Sequence, residues 1–385
     1  MNIPLHISQI HESRFNQKPL IVRSPGRINL IGEHTDYNNG FVLPAATDKA
    51  IYITLSASTD ATCHWFAADF SDEFTTTLDV LQPSPKNWPN YLLGIVEQFQ
   101  KMGHSIPAFN CVVSGDVPAG GGMSSSAALE CATGWGLAHL FNIPLDKLTL
   151  TRMAQRSENE FVGLQCGIMD MFASAFGKHN EVIRLDCRSL DYEYFPLDLA
   201  DYQIVLFDTG VKHSLASSEY NTRRQECEAG VALLQTLESD IHSLRDVSEE
   251  MLLTHQRKFD PLIFVRCLYV VQENERLLAA CEDLKRGDLE TFGQRMYGSH
   301  NGLRDMYEVS CKELDYLVSF TTTEKSVLGA RMMGGGFGGC TINIIKADAV
   351  DDLFERIQKA YKIAMGLDLK MYKVSIEDGT SILSV

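Results

Sequence analysis

Residues 115–130 read Gly115-Asp116-Val117-Pro118-Ala119-Gly120-Gly121-Gly122-Met123-Ser124-Ser125-Ser126-Ala127-Ala128-Leu129-Glu130. Three glycines run into three serines, and these into helix-forming residues. A backbone without Cβ atoms takes positive φ readily and approaches a ligand closely. Serine hydroxyls cap helix N-termini. A helix opening there points unpaired N–H groups and the positive end of its dipole outward. Together these features predict an anion site with phosphate as its occupant. A glycine turn before an ordinary cap would account for one Gly-Ser pair. Three of each, opening a long helical pattern, favour phosphate.

The flanks of this stretch agree with that reading. Phe109-Asn110-Cys111-Val112-Val113-Ser114 reads as a strand, and a helix is expected from about residue 125 to 141. The loop therefore joins a strand to a helix, as a phosphate cradle requires. A second helical pattern covers 146–161, Gly163 and Gly167 bracket a turn, and a short helix begins at 168. Glu158 falls near the end of the second helix. Asp170 lies among Ile168, Met169, Met171 and Phe172. Burying an acid in such a run is expensive unless it is paired or hydrogen-bonded. Asp170 is therefore either on an outer helix face or held in a cleft beside a substrate hydroxyl.

Farther upstream, Leu20-Ile21-Val22 reads as a short buried strand and Ser24-Pro25-Gly26 as a turn. The polar run from Glu33 through His34, Thr35 and Asp36 to Gly40 sits between apolar segments. It is either a solvated hairpin tip or a hydrogen-bonding cluster for a polyhydroxylated ligand, since acids and histidine supply acceptors and donors at the density sugar hydroxyls need. Further strands are expected at 50–55 and 74–78. Asn87-Trp88-Pro89-Asn90 reads as a break before a helix at 91–102.

Downstream, 202–207 is an apolar strand, and a helix carrying Tyr220 follows at 213–230. Helical patterns then continue to about residue 320. Gly334-Gly335-Gly336-Phe337-Gly338-Gly339 formally fits the dinucleotide fingerprint, but residues 341–345 read as a strand where that motif must open a helix. The run instead lets backbone approach a ligand or the other domain. An amphipathic helix at 347–365 and a strand at 371–376 close the chain. Strands first and helices later indicate an α+β organisation.

A length of 385 residues suggests two domains, here 1–200 and 201–385. With 45% hydrophobic and 22% charged residues the composition is that of a globular protein. No apolar run approaches the roughly 18 residues of a membrane helix, and residues 1–17 lack the apolar core of a secretory signal. The ten cysteines include no C-x-x-C pair, so they are expected to be free thiols in a reducing cytoplasm. A net charge of -16 argues against a nucleic-acid partner. It leaves ATP open, because a local loop with a few basic residues can bind phosphates within an acidic protein. The G-x-x-x-x-G-K-[ST] loop and the H-R-D and D-F-G motifs of protein kinases are absent.

Three stretches together resemble the GHMP small-molecule kinases, in their galactokinase branch. These are Pro25-Gly26-Arg27-Ile28-Asn29-Leu30-Ile31-Gly32-Glu33-His34-Thr35-Asp36-Tyr37, the glycine–serine loop, and Gly334-Gly335-Gly336-Phe337-Gly338-Gly339-Cys340. Cys166-Gly167-Ile168-Met169-Asp170 is a further match. The resemblance implies an α+β, two-domain fold, with an N-terminal domain like domain 2 of ribosomal protein S5, a ferredoxin-like C-terminal domain and the active site between them. It implies a monomer that binds no membrane and transfers the γ-phosphoryl group of ATP to the anomeric hydroxyl of galactose. Asp170 would face that hydroxyl, and Arg27 would stabilise Asp170 and the charge that develops. Glu33, His34, Thr35, Asp36 and Tyr220 would bind the sugar. Gly120, Gly121, Gly122, Met123, Ser124, Ser125 and Ser126 would wrap the triphosphate, and Ser126 and Glu158 would hold Mg²⁺.

The chain departs from that branch in places. Met171 stands where Gln is usual, next to the chemistry, and so bears on which sugar is taken. Gly121 and Met123 replace the usual Ala and Leu, and residues 300–306 lack a typical Ser and a second Asp. A kinase for another hexose such as N-acetylgalactosamine, and a non-catalytic sensor of sugar and ATP, are the alternatives. The intact serines, with Arg27, Glu158 and Asp170, weigh against the sensor.

Overall fold

The computed structural model describes residues 2–118, 121–211 and 216–384, and the side chains of all of these but 216–218. Gly120 of the expected phosphate loop lies outside the described residues.

Strand-forming segments rich in β-branched and aromatic residues build a six-stranded sheet. Its order is Ser381–Leu383, Leu20–Asn29, Pro44–Ala57, Phe109–Gly115, Cys63–Ala67 and Asp72–Thr76. Only the Phe109–Gly115 and Cys63–Ala67 pair runs parallel. The helices Asn87–Lys101, Ser125–Leu140, Lys147–Arg156 and Met169–Phe176 contribute to the same core as the sheet. Val22, Ile53, Trp65, Leu92, Phe99 and Leu137 meet there, none more than 2% exposed.

A four-stranded antiparallel sheet, ordered Val327–Met332, Cys340–Lys346, Tyr202–Asp208 and Lys370–Val374, forms in the second half of the chain. The Val350–Met365 helix turns Val350, Leu353, Ile357 and Tyr361 inward, the stripe that a 3.6-residue period requires. A three-stranded sheet is made by Phe41–Val42, Glu181–Asp186 and Tyr192–Pro196. The long helices Ala216–Gln235, Pro261–Lys285 and Leu289–Asp305 pack around a further apolar core. The expected α+β class holds. The final strand, however, leaves the second half and returns to the first sheet, pairing Ile21 with Leu383 and Arg23 with Ser381.

Several local expectations are corrected. Ser24-Pro25-Gly26 is no turn: it lies inside the Leu20–Asn29 strand, whose register shifts between Pro25 and Arg27. A bulge tolerates a proline that cannot donate to the ladder. Pro89 does not precede a helix but occupies the first turn of Asn87–Lys101, where its missing N–H would have had no intrahelical acceptor. The pattern at 146–161 splits into an α-helix ending at Arg156 and a π-helical turn, Ser157–Val162. The helix Ile3–Phe15 carried no clear sequence signal. It docks through His11, whose two ring nitrogens each lie 2.9 Å from a hydroxyl, of Thr54 and of Ser56.

Candidate active site

The bulge in the Leu20–Asn29 strand brings the glycine–serine loop against it. A Cβ on Gly26 would stand 2.7 Å from the Met123 carbonyl, so this closeness requires glycine. The Arg27 amide donates to that carbonyl at 3.0 Å. The side chain of Arg27, a residue 5% exposed, donates from Nη1 to the Gly122 carbonyl and from Nε and Nη2 to the two Asp170 oxygens at 2.7 and 2.8 Å. Burial opposes the Arg27 charge, but Asp170 and the carboxylates of Glu33 and Asp36 outweigh it and raise its pKa. Asp170 occupies the first turn of Met169–Phe176, the end of a helix that favours negative charge. It is thus the paired acid in a cleft, not one on an outer face.

Ser124 corrects the capping expectation. It stands at the N-cap of Ser125–Leu140 with φ of 51°, and its side chain makes no capping bond. Its hydroxyl donates to Asp170 Oδ2 instead. The first N–H groups of that helix therefore lack a side-chain cap, and such groups suit an anion. Ser126, the second residue of the helix, hydrogen-bonds Glu158, to which the Cys166 thiol also donates at 3.3 Å. Burial and the nearby Asp170 charge push the Glu158 carboxyl up. Behind it lies Glu130, fully buried. Its Oε1 accepts from the Ser157 hydroxyl at 2.8 Å, and its Oε2 has no partner among the described residues.

The polar run at 33–40 is not a solvated tip. Glu33 Oε1 accepts from Arg331 Nη2 at 2.7 Å and from the Gly334 amide at 2.8 Å. His34 has φ of 63° and is 4% exposed. Its Nε2 meets the Gly335 carbonyl at 3.2 Å. A carbonyl only accepts, so Nε2 carries the proton and Nδ1 accepts from the Tyr37 hydroxyl at 2.8 Å. Burial lowers the His34 pKa to about 4, in keeping with a neutral ring. Both ring nitrogens are thereby engaged within the protein. Thr35 faces away: its hydroxyl donates to the Gly32 and Phe41 carbonyls, and it is fully buried. Asp36 is pushed up to about 7, first by burial and then by the Asp170 and Glu33 charges, against an opposing backbone hydrogen bond from Tyr37. The Tyr220 ring stands 5.2 Å from His34 and 5.1 Å from Tyr37.

These residues line two adjoining cavities. The larger, about 430 Å³, is bounded by Gly122 to Ser126 on one side and Gly334 to Gly339 on the other. The smaller, about 150 Å³, is lined by Glu33, His34, Asp36, Asp170 and Tyr220, together with Cys166, Gly167 and Met169. Arg27, Gly334 and Gly335 border both. Met171 borders neither; it is fully buried in the core under the six-stranded sheet. The substitution that bore on sugar choice is therefore a packing position, and Met169 is the neighbour that reaches the cavity.

Arg331 was not singled out by sequence, and Gly167 only as a turn glycine within the match at 166–170. A Cβ on Gly167 would fall 1.8 Å from Asp36 Oδ2, so the carboxylate occupies the space this glycine leaves. Arg331 follows no motif, and its buried guanidinium also donates to the carbonyls of Asn29, Leu30 and Met332.

The GHMP kinase N-terminal domain model matches residues 90–178, the C-terminal one 280–363, and the galactokinase galactose-binding signature residues 9–57. The chain is 42% identical over 359 residues to a galactokinase of Thermotoga neapolitana, covering 93% of this chain and 98% of that one. It is 42% identical over 363 residues to a galactokinase of Clostridium acetobutylicum, covering 92% of each. The solved structure of Lactococcus lactis galactokinase complexed with galactose superposes with a TM-score of 0.95 at 33% identity, over 99% of this chain and 100% of that one. A mevalonate kinase structure at 15% identity and a TM-score of 0.67 shares the fold.

Proposed function

Because the chain belongs to the galactokinases of the GHMP kinase family, and is thus an ATP-dependent kinase of galactose, we propose the following division of labour among its residues. The smaller cavity takes the sugar and the larger the triphosphate. The observation that carries this reading is the Arg27–Asp170 pair on their common wall: Arg27 borders both cavities and holds a carboxylate in one of them. The anomeric hydroxyl lies against Asp170, which orients it and accepts its hydrogen bond. Arg27 offsets the negative charge on Asp170 and on the phosphoryl group in flight. Phosphoryl transfer depends on such positioning and charge neutralisation.

Glu33 spends one oxygen on the protein and leaves the other for a sugar hydroxyl. Asp36, titrating near neutrality, both donates and accepts. His34 and Tyr220 supply walls, and Thr35 holds the loop. Residues 120–126 wrap the triphosphate with the uncapped helix N–H groups.

For Mg²⁺, Ser126 and Glu158 offer a hydroxyl beside a carboxylate that lacks a basic partner at bonding distance among the described residues. No cluster of three His, Cys, Asp or Glu exists among those residues. A two-oxygen set suits a hard cation that keeps waters and binds phosphates. The cation, when bound, neutralises triphosphate charge. The remaining elements of the reading are a monomer in the cytoplasm, in accord with ten unpaired cysteines, and a division near residue 200 bridged by the returning strand.

A coupled assay over a panel of hexoses tests the reading. Galactose should be turned over fastest, and Asp170→Ala should abolish turnover while leaving ATP binding largely intact. An inert galactose, or near-normal turnover without Asp170, would overturn it.

A further inference from the structure

Behind the sugar cavity lies a third one, of about 460 Å³, that the reaction does not use. Asp36, Cys166 and Gly167 form the partition, bordering both spaces. Arg27 and Asp170 do not reach it, so it opens on the side of the sugar away from the reacting hydroxyl. Four arginines from three elements line it: Arg152 and Arg156 from the Lys147–Arg156 helix, Arg188 from the turn after Glu181–Asp186, and Arg224 from Ala216–Gln235. Among the described residues Asp36 is the one acid on its lining, in a chain whose net charge is -16.

Two of these arginines are already committed, Arg188 to Asp246 at 2.7 Å and Arg224 to Glu228 at 2.9 Å. Arg152 and Arg156 form no ion pair with any described residue, although Glu160 feels the charge of Arg156. They stand four residues apart on one helix face, where like charges repel unless an anion lies between them. Gln155 and Asn159, also four apart, add polar groups on the same lining. Guanidinium forks suit phosphate oxygens, and the amides suit hydroxyls.

We propose that this basin is a second, non-catalytic ligand site that takes a phosphorylated hexose. The proposal rests on the neighbouring cavity being the sugar pocket. Two sources share that chemistry, the 1-phosphate formed by the reaction and a hexose 6-phosphate supplied by another kinase.

The test is calorimetry on the full chain with galactose and a non-hydrolysable ATP analogue both saturating. Galactose 1-phosphate, galactose 6-phosphate and inorganic phosphate are then titrated separately. A sugar phosphate should bind with one-to-one stoichiometry, more tightly than inorganic phosphate, and the arm that binds identifies the source. The double variant Arg152→Ala/Arg156→Ala should weaken that binding at least about tenfold, from two lost charge-assisted contacts. Arg224→Ala, which removes an arginine already paired with Glu228, should weaken it less. In both variants the KM values for galactose and ATP should stay within about twofold. Absence of binding by either sugar phosphate under saturating substrates, or undiminished binding in the double variant, overturns the proposal. Failure of galactose itself to bind would instead overturn the reading of the sugar pocket.

Discussion

The Arg27 guanidinium and the Asp170 carboxylate meet through two parallel hydrogen bonds, of 2.7 and 2.8 Å, with Arg27 nearly fully buried. Such a fork fixes the carboxylate plane as well as its charge. Arg27→Lys keeps the charge and loses the fork. Its kcat should fall by about two orders of magnitude, in the range seen when one positioned electrostatic group is removed, while the KM for galactose changes little. Steady-state kinetics at saturating ATP measures this, and a lysine variant with wild-type kcat would show that charge alone suffices.

Gly167 and Asp36 cannot both keep their places if the glycine gains a side chain, because the new carbon would overlap the carboxylate at 1.8 Å. Gly167→Ala should therefore act on the sugar and not on the nucleotide. The galactose KM should rise tenfold or more with the ATP KM nearly unchanged. A parallel rise in both would detach Asp36 from the sugar pocket.

Asp36 gives a pH signature. Its carboxyl titrates near 7 in the folded chain, raised mainly by burial, against about 3.8 as its ordinary value. The folded state therefore holds a proton that the unfolded chain releases, and stability falls as pH rises from about 4 through 7. Asp36→Asn removes this dependence. The variant should gain melting temperature over the wild type at pH 8 and lose that gain near pH 4. Thermal unfolding without sugar, across that window, checks it, and a difference independent of pH would exclude the titration.

Met171 sits in the core below the sheet and not at the sugar. Met171→Leu, nearly volume-conserving, should cost less than about 1.5 kcal/mol of stability. It should leave the ranking of hexoses unchanged. A changed ranking in the panel assay would mean that the core position reaches the cavity through Met169.

Much of this site was legible because local chemistry announced it. The glycine–serine run, Arg27, Glu33, Asp36, Asp170 and Glu158 are dense or out of place in their surroundings; residues 122–126, Arg27, Glu33, Asp36 and Asp170 line two adjoining cavities, and Glu158 hydrogen-bonds Ser126 beside them. Direction was not legible. Whether Ser124 caps its helix or turns to Asp170 depends on a backbone in the left-handed region. Whether Thr35 faces the sugar depends on carbonyls six or fewer residues away that no periodicity marks. Long-range partners were equally hidden: Arg331 reaches Glu33 across 298 positions of sequence. Strands were found where apolar runs are long, as at 109–114 and 202–207. They were missed where pairing alone defines them, as at Ser381–Leu383.

That last strand sets an order of events during synthesis. Leu20–Asn29 leaves the ribosome before its outer neighbour, which is encoded more than 350 residues later. At about 5–20 residues per second, the edge near Ile21 waits roughly 20–70 s for its partner. Through that interval it is an open template for another nascent chain. A message truncated before codon 381 would thus yield a protein that keeps every residue of both cavities and yet is prone to aggregate.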